Sequence, residues 1–131
     1  MISTRGRYAL RVMTDLAMHR DEGYLPMKQV AQRQDISLKY LEQILPALVA
    51  QGLVDTKAGK GGGYRLLRDP EDIPVGEILH AAEKELAPVA CLSDQAEACP
   101  RRAECKTVRF WAGLDRVIEE YIAHVMLADL L

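Results

Sequence analysis

The chain has 131 residues, of which 49% are apolar and 27% are charged. That length accommodates one domain with an appendage, and the composition is ordinary for a globular protein that buries a core. No apolar run has the form of a secretion signal or the length of a membrane span, so we expect a cytoplasmic protein with no membrane partner. Thiols are reduced in the cytoplasm, which favours metal binding or redox sensing over structural disulfides.

The net charge of −2 conceals two regions of opposite sign. Residues 1–68 carry eleven Lys and Arg against six Asp and Glu, a net charge of +5. Residues 69–131 carry six basic and thirteen acidic residues, a net charge of −7. The basic region suggests a polyanionic partner such as nucleic acid, although a solvated basic surface gives the same balance of charge.

The basic region contains the pattern of a helix-turn-helix. Ser3 or Thr4 can cap a first helix, whose apolar residues recur at helical spacing as far as the RDEGY stretch. A short second helix fits MKQVAQRQ, and the next two residues make the turn after it. Ser37 then caps a third helix, which Gly52 ends and which Pro46 should bend because proline has no N–H to donate.

The third helix, SLKYLEQILPALVAQG, is predicted to have two different faces. Its apolar stripe consists of Leu38, Leu41, Leu45 and Leu48. The polar residues near its start point the other way: Lys39, Tyr40, Glu42 and Gln43. A short helix, a tight turn and a second helix with a polar N-terminal surface indicate a DNA-binding motif, although a plain solvated face has the same pattern.

Two short apolar-edged runs flank a glycine cluster in LVDTKAGKGGGYRLL, which predicts a β-hairpin. Its loop is not a Walker loop, because Gly61 follows Lys60 where Ser or Thr is required. Lys57, Lys60 and Arg65 make the hairpin basic, and its glycines allow close approach to a phosphate backbone. A helix-turn-helix followed by a basic hairpin is the order of elements in a winged-helix domain, so we predict a double-stranded DNA operator as the partner.

Four segments resemble one bacterial regulator family, in order along essentially the whole chain. They are STRGRYALRVMTDLA, ISLKYLEQILPALVAQGLV, GKGGGYRLL and IPVGEILHAAE. The family includes the iron-sulfur-cluster regulator IscR, the nitric oxide sensor NsrR and the cysteine-metabolism repressor CymR. The resemblance implies a winged helix with a long C-terminal dimerisation helix. It also implies, for some members, an iron-sulfur cluster held by three cysteines in the loop before that helix.

The resemblance further implies roles for individual residues at the DNA surface. Glu42 and Gln43 match positions where the cluster regulator reads bases. A carboxylate facing DNA is useful where it accepts a hydrogen bond from a cytosine amino group, so Glu42 is expected to choose bases. Three residues match positions near phosphates: Ser3, Thr4 and Arg5.

The hairpin departs from the family pattern. Ala58 stands where the cluster regulator has an arginine that enters the minor groove, and Lys57 or Lys60 are the available substitutes. An operator sequence therefore cannot be carried over from the family. The complete predicted DNA-binding set is Ser3, Thr4, Arg5, Ser37, Lys39, Tyr40, Glu42, Gln43, Lys57 and Lys60.

All the cysteines of the chain lie in the segment CLSDQAEACPRRAEC, as Cys91, Cys99 and Cys105, where the family holds its cluster. Three thiolates suit a 2Fe-2S or a 4Fe-4S core but leave one ligand position open. The histidine of the IscR pattern corresponds to Val108 and the aspartate of the NsrR pattern to Arg7, so neither family solution is present. The candidates for the fourth ligand are an exogenous molecule, Asp94, Glu97, Glu104 and His80.

Other interpretations of the cysteines stay open. Zinc could bind three thiolates and a carboxylate, although the paired spacing typical of structural zinc is absent. A thiol switch would use neighbouring cations to lower the thiol pKa: Arg101, Arg102 and Lys106. A small iron-sulfur electron carrier without DNA affinity is the rival from another class, and the basic region argues against it. No catalytic motif passes inspection, so we do not expect an enzyme.

Apolar residues after the cysteines recur at alternating steps of three and four: Trp111, Leu114, Ile118, Tyr121 and Val125. They predict a helix that runs to about Ala128, roughly 36 Å at 1.5 Å per residue. A helix of that length is longer than so small a domain can cover. Its apolar stripe is therefore expected to pack against a second copy of the chain in a homodimer. A two-fold axis would also place two recognition helices one DNA turn apart, although an internal core helix has the same periodicity.

These observations predict a mainly α protein with a small β-hairpin, built as a winged helix-turn-helix domain plus a long C-terminal dimerisation helix. We assign residues 1–68 to DNA binding, 69–86 to a connecting helix, 87–105 to the cysteine cluster loop and 106–131 to the dimerisation helix. The expected function is a homodimeric transcription regulator, acting as a repressor, that senses iron-sulfur status or redox and nitric oxide stress.

Overall fold

The computed structural model describes residues 1–93 and 97–131, which form five α-helices and one antiparallel hairpin. The helices are α1 Thr4–Met18, α2 Met27–Gln34, α3 Leu38–Ala50, α4 Val75–Ala82 and α5 Val108–His124. The strands are β1 Val54–Lys57 and β2 Gly63–Leu66, with Val54 opposite Leu66. No helix within the described residues is long and apolar enough to cross a membrane. The predicted fold class is confirmed.

Local sequence signals set the boundaries of the first three helices. The hydroxyl of Ser3 accepts a hydrogen bond from the N–H of Arg5 at 3.1 Å and caps α1. Ser37 caps α3 in the same way, through the N–H of Tyr40 at 3.3 Å. Between α2 and α3, Asp35 adopts a left-handed conformation that makes the predicted turn.

The main core lies between α1, α2, α3 and the hairpin. Met13, Leu41 and Leu48 are among its fully buried side chains. Each such aliphatic side chain stabilises the fold by about 1.5–3 kcal/mol relative to an exposed one. Ile78 of α4 and Leu127 near the C-terminus belong to the same cluster, so the connecting helix is part of the winged-helix core.

A buried carboxylate joins α1 to α2. Asp15 is 1% exposed, and its two oxygens accept hydrogen bonds from Arg33 at 2.6 and 3.1 Å and from the Gln34 side chain at 2.9 Å. Burial by itself would raise the pKa of Asp15, but these hydrogen bonds and the charges of Arg33 and His19 lower it overall. The ionised carboxylate therefore fixes the position of α2 against α1.

The hairpin is fastened to the loop before α2. Leu25 and Tyr64 exchange two backbone hydrogen bonds, each of 2.9 Å. Gly63, with φ of +149°, makes this approach possible because a Cβ at this position would collide with the Leu25 carbonyl. The sequence suggested that the glycines allow contact with DNA, and at Gly63 the close contact is instead within the protein.

The predicted C-terminal helix is too long. Helix α5 ends at His124 after 17 residues, about 26 Å at 1.5 Å per residue, and does not reach Ala128. The carbonyl of Val125 accepts the N–H of Val75 at 2.8 Å, and the N–H of Leu127 donates to the carbonyl of Ile73 at 2.8 Å. Since these bonds need an extended backbone at Val125, the chain leaves the helix there.

Candidate nucleic-acid interface and cysteine loop

The N-terminal half of α3 presents a polar surface that the core holds in place. Lys39, Glu42 and Gln43 are exposed, while Leu41 and Leu45 on the opposite side are buried. A rigid helix with an amide and a carboxylate at its start is suited to reading base edges in the major groove.

Tyr40 departs from the predicted polar face. Its side chain is half-buried and meets the ring of Tyr8 edge-on, with centroids 5.4 Å apart. Ser37, the other residue at the start of α3, uses its hydroxyl as the helix cap. Tyr40 therefore supports α3 on the fold, whereas Ser37 caps the helix and is exposed, together with Lys39, Glu42 and Gln43 of the predicted set.

The basic face of the wing has a support that the sequence did not reveal. The hydroxyl of Tyr24 donates to the Asp55 carboxylate at 2.6 Å, and Arg65 donates to the same oxygen at 3.3 Å. The Arg65 guanidinium also covers the Tyr24 ring at 4.3 Å from its centroid, with the Lys57 ammonium at 5.8 Å. The hydrogen bond from Tyr24, and then the charge of Arg65, lower the pKa of Asp55. Lys57 and Lys60 are exposed, so the wing carries cations on its surface.

The residues predicted near phosphates at the start of α1 all make intramolecular hydrogen bonds. The Ser3 hydroxyl donates to the Glu83 carboxylate at 2.8 Å, and Arg5 donates through Nε to the Ala82 carbonyl at 3.2 Å. Thr4 accepts a hydrogen bond from Arg7 at 3.0 Å. The start of α1 is thereby tied to the end of α4.

The cysteine loop contains three thiols, and none of them is in a disulfide. Cys91 and Cys99 are half-buried and Cys105 is exposed. Two successive turns join Cys99 to Cys105, since the Cys99 carbonyl accepts the N–H of Arg102 at 3.0 Å and the Arg102 carbonyl accepts the N–H of Cys105 at 3.3 Å. The hydroxyl and N–H of Thr107, together with the charge of Arg101, lower the pKa of Cys105.

The donor chemistry of this loop fits an iron-sulfur cluster, because three unpaired thiols are close in sequence and one of them has a lowered pKa. Within residues 1–93 and 97–131, however, no three His, Cys, Asp or Glu side chains are grouped closely enough to hold a metal ion. Of the candidate fourth ligands, Glu97 and Glu104 are exposed, and His80 is 2.9 Å from the Glu119 carboxylate of α5. Asp94 lies outside the described residues.

The predicted apolar stripe of α5 belongs to two different faces. Ile118 and Val125 pack towards α4, around the buried Ile122. Trp111 is half-buried and meets Phe110 edge-on, with centroids 4.9 Å apart. The outer face, which we call the α5 outer stripe, consists of Phe110, Leu114, Val117 and Tyr121, with 65%, 36%, 60% and 69% of their surface exposed. Phe110 and Val117 were not among the predicted dimerisation residues, although their steps of four, three and four with Leu114 and Tyr121 are present in the sequence.

Helices α2 and α3, the turn between them and the basic hairpin define a winged-helix DNA-binding protein. Residues 2–131 match the Rrf2 family model, which is described as an iron-dependent transcriptional regulator. The chain belongs to this family of DNA-binding transcription regulators.

Relatives match along nearly the whole chain. Protein rrf2 of Nitratidesulfovibrio vulgaris is 39% identical over 99% of this chain and 86% of its own length. The structure of T. potens IscR matches with a TM-score of 0.75 and 35% identity, covering 99% of this chain and 85% of that one. CymR, the global cysteine regulator of B. subtilis, matches with a TM-score of 0.78 and 33% identity, covering 99% and 95%. The expectation of a regulator and not an enzyme is confirmed, and the rival of an electron carrier without DNA binding is rejected.

Proposed function

We propose that this Rrf2-family regulator binds a two-fold symmetric DNA operator as a homodimer, acts there as a repressor in the cytoplasm, and senses iron-sulfur status or a redox signal through Cys91, Cys99 and Cys105. The observation that carries the proposal is the set of three unpaired thiols in one loop between α4 and α5. The iron dependence in the description of the family supports a metal-containing form.

The DNA-binding step uses two surfaces of the winged helix. Glu42 and Gln43 would contact base edges from α3, with Lys39 beside them. Lys57, Lys60 and Arg65 would contact phosphates from the wing. The phosphate contacts supply affinity that falls with salt, and the base contacts supply sequence choice.

The dimerisation step uses the α5 outer stripe. Its four large apolar side chains lie at helical spacing on one face, and leaving such a side chain in water forgoes about 1.5–3 kcal/mol compared with burying it. The same stripe on a second copy is a self-complementary partner about a two-fold axis. A symmetric operator requires such an axis between the two recognition helices.

The sensing step uses the cysteine loop. When bound, an iron-sulfur cluster would supply an iron centre that reacts with oxidants or nitric oxide and has one position not held by cysteine. Cys91, Cys99 and Cys105 would hold it, and Thr107 and Arg101 would favour the thiolate form of Cys105 by lowering its pKa. Since the loop joins α4 directly to α5, its order can bias the distance between the two DNA-reading helices of a dimer.

A thiol switch is the second candidate function. It is favoured by the exposure of Cys105 and by the lowered pKa of its thiol, the two properties that make a cysteine reactive. CymR, a structural relative, is named as a global cysteine regulator. Zinc held by the same thiols is a further alternative.

The deciding experiment is anaerobic purification from an iron-replete host, followed by a visible spectrum and by counts of iron, acid-labile sulfide and zinc per chain. The proposal expects a coloured protein that contains iron and sulfide and loses both in Cys91→Ala. Ala98→Ser is the matched control, since it changes an exposed residue of the same loop and keeps every thiol. Retained colour and unchanged iron content in Cys91→Ala would reject this residue as a ligand.

Colourless protein would reject the cluster. Zinc in stoichiometric amount would then identify a zinc regulator, and metal-free protein whose operator binding changes on mild oxidation would identify a thiol switch. Operator binding of wild type at increasing salt tests the DNA-binding step independently of either result.

A further inference from the structure

Residues near the start of the chain are hydrogen-bonded to the end of α4 and to the segment that follows it. The Glu83 carboxylate accepts from the N–H of Ser3 at 2.6 Å, from the Ser3 hydroxyl at 2.8 and 2.9 Å, and from the N–H of Gly6 at 3.0 Å. A carboxylate at this position satisfies N–H groups that have no partner within the helix, and its charge favours the positive end of the helix dipole. Glu83 therefore acts as a cap for α1 supplied from 77 to 80 residues away in the sequence.

The fit of this cap depends on Gly6. A Cβ at Gly6 would lie 2.5 Å from Oε1 of Glu83, so a larger residue would displace the carboxylate. Two further bonds hold the same segments together: Arg5 donates to the Ala82 carbonyl at 3.2 Å, and the N-terminal amine donates to the Ala87 carbonyl at 3.4 Å. We call this set of contacts the N-terminal clamp.

The clamp lies between the two functional regions of the chain. On one side are Ser3, Thr4 and Arg5, the residues expected near operator phosphates. On the other side the segment from Ala82 to Ala87 leads into the cysteine cluster loop, whose first thiol is Cys91. Contacts with phosphate depend on the position of a helix end to within a fraction of an ångström, because charge-assisted hydrogen bonds are short and directional.

We propose that Glu83 is a positioning residue for DNA binding, and that through it the conformation of the cysteine loop controls the position of the α1 N-terminus. The carboxylate need not touch DNA. It holds the backbone of residues 3 to 6, so a displacement of the segment after α4 moves or releases the phosphate-contacting end of α1. The coupling to the loop deepens the proposed sensing function, whereas the positioning role needs only the DNA binding of the family.

The positioning role is tested with two variants of one residue in metal-free protein. Glu83→Ala removes the cap, and we expect operator affinity to fall at least fivefold and amide hydrogen exchange at residues 5–7 to accelerate at least tenfold. Glu83→Gln keeps an oxygen at the position that accepts from Ser3 and Gly6, so it should restore most of both properties. Glu71→Ala is the matched control, because it removes the same charge from an exposed site.

The results of these variants distinguish positioning of the α1 N-terminus by Glu83 from charge repulsion and from unfolding. Unchanged operator affinity in a folded Glu83→Ala protein would overturn the proposal. Tighter binding in both Ala and Gln variants would also overturn it, since it would show that the carboxylate charge merely repels phosphate. If Glu83→Ala unfolds, Gly6→Ala provides the second test, because it displaces the carboxylate from the other side.

The coupling is tested by alkylating the cysteines of wild type and of Glu83→Ala with iodoacetamide, which perturbs the loop without any metal. We expect alkylation to lower operator affinity in wild type at least threefold and to leave Glu83→Ala nearly unaffected. An equal loss in both proteins, or no loss in wild type, would overturn the coupling. Iron and sulfide counts test only the cluster, whereas operator affinity of the metal-free variants tests the N-terminal clamp. A failure of one proposal can therefore be told from a failure of the other.

Discussion

The winged-helix region and the region after α4 differ in how many of their apolar and charged side chains have partners within the same chain. In the first, apolar side chains of α1, α2 and α3 are buried together, and the buried Asp15 carboxylate has three hydrogen bonds. In the second, α5 contributes one buried side chain, Ile122, and leaves the outer stripe exposed. The winged-helix core is thus a scaffold that is complete within one chain, with Ile78 of α4 and Leu127 near the C-terminus contributing to it. The C-terminal region carries groups that we propose are completed by a second copy and a cofactor.

The largest effect expected within the scaffold comes from Asp15→Asn. The change leaves Arg33 without its charged partner, and the unfolding free energy should fall by about 2–4 kcal/mol, somewhat less than for a fully buried pair because Arg33 is partly exposed. Urea denaturation measures the loss, with the exposed Asp21→Asn as the control. A loss no greater than that of the control would show that the scaffold does not depend on this contact.

The pH dependence of the stability lost in Asp15→Asn tests whether the charge of Asp15 is the cause. The pKa of Asp15 is lower in the folded than in the unfolded protein, so its contribution to stability is complete above an unfolded pKa of about 3.9. That contribution is lost as pH falls through the folded pKa. The difference between wild type and Asp15→Asn should therefore be constant near neutral pH and shrink in acid, whereas a purely steric effect would persist at every pH.

A second large effect is expected in the C-terminal region. Val117→Glu places a charge in the centre of the α5 outer stripe, and we expect the dimer dissociation constant to rise about 100-fold, equivalent to about 2.7 kcal/mol. Sedimentation over a range of concentrations measures it, and melting of the monomer should be little changed. Arg116→Glu, on an exposed neighbouring position, is the control. An unaltered dimer in Val117→Glu, or a wild-type protein that is monomeric, would show that the α5 outer stripe is not a dimer interface.

A smaller effect is expected from Glu42→Ala at the tip of the scaffold. Loss of the carboxylate should reduce discrimination at one base pair about tenfold, while total affinity changes little or rises because a repulsive charge is removed. Binding to a panel of operators with single-base changes measures the preference. Glu22→Ala is the control, since it removes the same charge from an exposed residue in the loop between α1 and α2. An unchanged base preference would reject the proposed reading role.

The smallest effect is expected from Lys60→Ala in the wing loop. One phosphate contact fewer should weaken binding a few-fold at every sequence and lower the salt slope by about one. Lys84→Ala, an exposed lysine after α4, should leave the slope unchanged. A change in base preference would instead mean that Lys60 reads bases in place of the missing arginine.

The scaffold could be predicted from sequence because its signals are local. The cap at Ser37, the turn at Asp35 and the bounds of α2 each depend on residues within a few positions. The predicted end of α5 was wrong because apolar spacing continues past His124, while hydrogen bonds to the strand-like segment before α4 end the helix. No periodic pattern records such long-range bonds.

In the candidate site too, features with local sequence signals could be predicted, and contacts between distant parts of the chain could not. Exposure of Lys39, Glu42 and Gln43 was predictable from the leucine stripe on the opposite side of α3. The partners of Tyr24 and Glu83 were not, because each contact joins residues that are distant in sequence. The two faces of α5 became distinct only once α4 was seen to cover one of them.

The backbone bridge between Leu25 and Tyr64 has a consequence for how any signal can act on DNA. Because the wing is joined to the segment that leads into α2, the wing and α3 form one rigid reading head within a protomer. The spacing between the contacts made by α3 and those made by the wing should then be the same in every state of the protein. The proposed signal is left with the phosphate contacts of the α1 N-terminus and the separation of two reading heads, so operators with altered spacing between half-sites are expected to distinguish sensor states.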